Sequence, residues 1–121
     1  MITEDENMPY ISTKTNRTIG PDQQKQLKER LGKAIELLPG KSETWLMLSF
    51  EGDIPMAFQG NDSDPAAMFE VKIFGSAPAQ AKERLTAELT DTAEKILGVP
   101  GNRTYVKYEE CSDWGWNGSN F

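Results

Sequence analysis

The chain has 121 residues and 37% apolar content, enough for one modest hydrophobic core but hardly for two, so a single domain is expected. Its 13 basic residues against 19 acidic ones give a formal charge of −6, which repels polyanions and argues against a nucleic-acid partner. Histidine is absent, which removes the commonest general base near neutral pH and the commonest zinc ligand, and with them most hydrolase and metal readings.

The lone Cys111 cannot close an internal disulfide or a CxxC pair, so a reduced, cytoplasmic setting is the expectation, with unconventional secretion left open. No apolar run approaches the roughly 18 residues of a membrane span, and the opening MITEDEN is acidic where a signal peptide is basic and then apolar. No membrane partner is expected. Residues 1–8 read as a flexible N-terminal extension, and 9–121 as the domain.

Pro9 to Thr15 reads as a strand with its proline at the starting edge. Gly20-Pro21-Asp22 opens a helix, and Leu27, Leu31, Ala34, Ile35 and Leu38 follow at helical spacing until Pro39-Gly40. Thr44 to Phe50 is a nearly unbroken apolar run, the pattern of a strand buried on both faces. Gly52 to Gly60 reads as a loop or short hairpin, Asn61 to Pro65 as a turn, and Ala67 to Phe74 as a strand. A second helix is expected with Ser76 as N-cap and Pro78 in its first turn; Ala81, Leu85, Leu89, Ala93 and Ile96 form its apolar stripe and Gly98 ends it. Arg103 to Glu109 closes the pattern as a strand.

Pro-Gly followed by Thr-aromatic-aliphatic recurs after each helix, which divides the chain into two β-α-β halves. With right-handed crossovers they give an α+β domain: a four-stranded sheet with both helices on one face. Thr44–Phe50 is expected to offer apolar side chains to both faces while the helices cover only one, so the other face needs a protein partner; leaving it wet forgoes several kcal/mol at about 25 cal/mol per Å². Self-association is therefore expected.

Specific residues sharpen this outline. Pro9-Tyr10-Ile11, Thr15-Asn16, Gly40-Lys41, Pro55-Met56-Ala57-Phe58, Asn102-Arg103-Thr104-Tyr105 and the ending Gly115 to Phe121 resemble the macrophage migration inhibitory factor family from Pro9 to Phe121. The resemblance implies the tautomerase fold, with homotrimers whose sheets line a central β-barrel. It also implies arylpyruvate keto-enol tautomerase activity and a dopachrome isomerase-like side reaction, with no cofactor and no metal.

By the same resemblance, Pro9 matches the catalytic N-terminal proline, a base whose free amine is unprotonated near neutral pH. Lys41 matches the lysine that binds the substrate carboxylate, and Ile73 a residue lining the pocket. Tyr105 would enter from a neighbouring subunit, and Trp114, Trp116 and Phe121 would form an aromatic rim. Lys107 stands where the best-known member has asparagine, which implies a more cationic pocket suited to a dianionic or smaller acid. Ala66 and Phe69 occupy the places of the family's CxxC pair, so a thiol-disulfide activity does not carry over.

Met8 and seven further residues precede Pro9, and an acylated proline nitrogen is an amide without usable basicity. Either translation starts at Met8 and Met is removed, or the extension is genuine and proline catalysis is lost. Beside the tautomerase, two other readings stand. One is a non-catalytic, cytokine-like binding trimer with a protein receptor; the other is a relative that dehalogenates or hydrates its substrate with the same proline. The acidic Glu4-Asp5-Glu6 segment reads as a solvated tail, with a role in covering a neighbour's pocket as the alternative.

Overall fold

The computed structural model describes residues 8–121; the acidic segment read as a solvated tail lies outside the described residues. Met8, grouped with the flexible extension on sequence grounds, is instead 3% exposed.

Strand β1 (Pro9–Thr15) starts at its proline, whose nitrogen has no hydrogen to give the ladder, and buries alternate residues from there. Helix α1 (Pro21–Ala34) has proline in its first turn, and the amide of Gly20 is held by Gln23 Oε1 at 2.8 Å. The expected stripe is the buried one: Leu27, Leu31, Ala34 and Ile35 are interior, as is Leu38 beyond a short 3-10 turn over Ile35–Leu37. Gly40, at φ 78°, then reverses the chain in the left-handed region that favours glycine.

Strand β2 is Met47–Glu51, and Glu43–Trp45 forms a 3-10 turn ahead of it. This corrects the expectation of a strand buried on both faces. Only Leu48 and Phe50 pack on the core, while Met47, Ser49 and Glu51 alternate to the other side. The apolar run is continuous in sequence because its first residues belong to a turn whose side chains do not follow the strand's alternation.

Strand β3 (Ala67–Phe74) buries Ala67, Phe69, Val71 and Ile73 in strict alternation. Helix α2 (Ala79–Thr92) has Pro78, rather than Ser76, at its N-cap. The loop before it is held by Glu110, whose Oε2 accepts the Ala77 amide at 2.8 Å and the Lys82 ammonium at 3.3 Å. Those two contacts, the backbone amide first, hold the Glu110 carboxyl below its usual range. The helix ends in a π-helical turn over Ala93–Leu97, closed by Gly98 at φ 69°, and Gln23 of α1 donates to the Ile96 carbonyl at 3.1 Å.

Strand β4 (Thr104–Cys111) completes a sheet of order β2-β1-β3-β4, with β1 parallel to β2, β3 parallel to β4, and the two β-α-β halves meeting antiparallel at β1 and β3. Both helices pack on the face that carries Ile11, Phe69, Val71 and Ile73. The opposite face is largely polar. It carries a Tyr10–Ser49 hydroxyl pair at 2.6 Å and a Lys14–Glu70 ion pair at 3.4 Å, and Lys72 lies 5.9 Å over the Tyr10 ring. This face therefore does not by itself require a partner, because alternation puts serine, lysine and glutamate where a continuous apolar surface was expected.

Candidate functional site

A cleft of about 790 Å³ opens where the start of β1 meets the edge of β2 and the chain's C-terminal residues. Its walls include Met8, Pro9 and Tyr10 on one side, and Trp45, Trp114 and Trp116 on the other. Pro9 is buried and lies opposite Ile73 in the β1–β3 ladder. That ladder continues one residue outward, since the Phe74 amide donates to the Met8 carbonyl at 3.0 Å.

Lys41 reaches this point through the Gly40 turn, its own amide donating to the Leu38 carbonyl at 3.1 Å. The side chain is buried and its Nζ donates to the Phe74 carbonyl at 3.1 Å. A single residue, Phe74, thus links the ammonium of Lys41 to the peptide that joins Met8 to Pro9. Burial of a cation is costly unless it is hydrogen-bonded, and the carbonyl dipole answers part of that cost.

The aromatic wall is built by the C-terminal residues. Strands β5 (Gly115–Trp116) and β6 (Ser119–Asn120) form a hairpin whose turn residues, Asn117 and Gly118, both have positive φ, at 52° and 83°. Asn-Gly is the dipeptide that adopts this primed turn at least cost. The Phe121 amide closes the hairpin base on the Trp114 carbonyl at 3.0 Å. The hairpin sets Trp116 edge-on to Trp45, with ring centroids 5.1 Å apart, and near-parallel to Phe121 at 6.4 Å, while Phe121 meets Phe74 at 5.8 Å.

Of the residues singled out in the sequence, the structure gathers Pro9, Lys41, Trp114, Trp116 and Phe121 at or beside the cleft. Ile73 lies opposite Pro9 in the ladder with its side chain in the core, only 1% exposed, and the adjacent Phe74 makes the contacts to Met8 and Lys41 through its backbone. Tyr105 and Lys107 are also elsewhere in the chain. They pair with Met68 and Glu70 on β3, whereas Pro9 pairs with Ile73, so Tyr105 lies five residues further along β3, roughly 17 Å at strand rise. Tyr105 is 60% exposed and meets Phe58 edge-on at 5.0 Å. Lys107 pairs with Glu109 at 3.3 Å, which offsets the extra positive charge expected of it.

Two residues of this region carry no functional signal in the sequence. Trp45 sits within an apolar run, and its turn position explains why it faces the cleft. Phe74 acts through its backbone amide and carbonyl, which residue type does not reveal. Among the described residues no group of three or more His, Cys, Asp or Glu is placed to hold a metal ion, and no helix is long and apolar enough to cross a membrane.

Comparison with known proteins agrees with this architecture. The family model for macrophage migration inhibitory factor (MIF) matches residues 8–121. Macrophage migration inhibitory factor of Xenopus laevis is 30% identical over 118 residues, which cover 94% of this chain and 99% of the relative. The crystal structure of Leishmania major MIF2 superposes with a TM-score of 0.88 at 29% identity, covering 95% of this chain and 98% of that one. The homologue from Prochlorococcus marinus gives a TM-score of 0.83 at 32% identity, covering 93% and 98%. The chain has the fold of these proteins and belongs to the macrophage migration inhibitory factor family.

Proposed function

We propose that this protein is a keto-enol tautomerase of aromatic α-keto acids, of the phenylpyruvate type, which works when Pro9 is the free N-terminus. The observation that carries the reading is the position of the Met8–Pro9 junction, which lies inside the cleft and is joined to Lys41 through Phe74. Family membership supports the same reading.

A free proline is a secondary amine, and apolar walls disfavour its protonated form, so its lone pair is available near neutral pH. It takes the proton from the carbon next to the ketone; the C–H electron pair becomes the C=C bond and the ketone oxygen takes the negative charge. Transfer of the same proton to that oxygen gives the enol and returns the amine unchanged. Lys41 supplies positive charge for the substrate carboxylate and the developing enolate. Trp45, Trp116 and Phe121 offer the aryl group a matching surface. Tyr105 and Lys107 reach a cleft only from a neighbouring copy, so the proposal includes a homotrimer in which each site is shared between subunits.

The second reading, a binding trimer without catalysis, is favoured by one specific feature: in the chain as it stands Pro9 is acylated by Met8. Phenylpyruvate tautomerisation, followed by enol absorbance, separates the two. Activity in a chain beginning at Pro9, and little in the chain carrying residues 1–8, is the expected result. Absence from both leaves the binding reading.

A further inference from the structure

Acylation of Pro9 is the effect of the preceding residues that chemistry alone foresees. The fold adds another at Met8, whose side chain is buried in the cleft wall. The Met8 carbonyl accepts the amide of Phe74, the residue whose own carbonyl is held by Lys41. Once Met8 is absent, the Phe74 amide loses that acceptor and can donate to water or to a ligand. That acceptor position adjoins Pro9 and the positive charge of Lys41, which is the environment that attracts an acid oxygen.

We infer that the Met8 carbonyl stands in for an acid oxygen at the Phe74 amide: in a chain carrying Met8 that donor is closed to carboxylates, and in a chain beginning at Pro9 it is open to them. Loss of activity in the longer chain then includes loss of binding as well as loss of the base. The nature of the ligand rests on the tautomerase reading, while the closure rests on the contacts of Met8 alone.

The test compares the chain with residues 1–8 and the chain beginning at Pro9, using 3-phenylpropionate, an aryl acid with no ketone to enolise. In the shorter chain the Phe74 amide should exchange with solvent at least tenfold faster. The acid should slow that exchange again, shift the Phe74 resonance, and bind at least tenfold more tightly than to the longer chain. Met8→Gly in the longer chain keeps the carbonyl and should leave the cleft closed. Equal affinity for the two chains, no binding to either, an unchanged Phe74 amide, or opening by Met8→Gly alone would each overturn the inference. A shorter chain that binds the acid yet leaves phenylpyruvate unconverted would sustain the closure and sink the tautomerase reading.

Discussion

Trp45, in the turn before β2, meets Trp116 of the C-terminal hairpin edge-on at 5.1 Å and 89°, and this contact fastens the hairpin across the mouth of the cleft. Aromatic pairs in this geometry are worth about 0.5–1.5 kcal/mol beyond the area they bury. A double-mutant cycle of Trp45→Ala and Trp116→Ala in urea unfolding should therefore return a coupling of about 1 kcal/mol. Strictly additive effects would mean that the hairpin holds its position without Trp45.

Lys41→Ala, made in the chain beginning at Pro9, should lower kcat/KM for phenylpyruvate at least tenfold, a loss of about 1.4 kcal/mol or more of transition-state stabilisation. Lys41→Arg retains a cation and should recover part of it. An unchanged kcat/KM for Lys41→Ala would remove this residue from the proposed mechanism.

Arg103 is the clasp of the loop between β2 and β3. Its guanidinium donates to the carbonyls of Pro65, Phe58, Asn61 and Asp64 at 2.8–3.2 Å and lies 5.4 Å over the Phe58 ring. Arg103→Ala should cost on the order of 3 kcal/mol, since hydrogen bonds to charged groups contribute about 1.5–3 kcal/mol and do not add fully. Arg103→Lys should recover less than half of it, because a compact ammonium cannot span four carbonyls. Equilibrium unfolding of the two variants decides between this and a purely solvated role.

Glu110 gives a pH signature. Its carboxyl is held low by the Ala77 amide and by Lys82, so the stabilisation is fully present above the ordinary glutamate value of about 4.3. It is lost as the pH falls from there through the depressed folded value. Thermal unfolding should show wild type above Glu110→Gln at pH 7, with the gap shrinking below about pH 4. A gap that stays constant into strong acid would refute the assignment.

Thr13 offers the opposite kind of change. Its hydroxyl is fully buried on the core face of β1 and, among the described residues, has no hydrogen-bond partner. Thr13→Val keeps the shape and removes the unpaired polar atom, so it should be neutral or stabilise the fold by about 1 kcal/mol. Destabilisation by more than about 1 kcal/mol would reveal a partner for that hydroxyl, a bound water included.

Much of the fold was legible because its signals are local. The stripe Leu27, Leu31, Ala34 and Ile35 can be buried only by a helix, and the alternation of Ala67 to Phe74 only by a strand, so both elements follow from periodicity. Thr44 to Phe50 departs from its sequence pattern for the same reason. A run without alternation carries no record of where a turn gives way to a strand, and hydrogen bonding to β1 was needed to place that boundary at Met47. The Asn117-Gly118 turn has a clear local signature, yet what the hairpin packs against is a long-range matter.

The amino-acid order by itself determined two helices and four principal strands through spacing and residue type, and its motifs carried the resemblance to the family that the comparisons show. Only the tertiary structure decided that Phe74 rather than Ile73 joins Lys41 to Pro9, that Trp45 faces the cleft, and that Tyr105 and Lys107 stand away from it within one chain. Those outcomes depend on strand register and on where a turn ends, and both are fixed by hydrogen-bond partners distant in sequence.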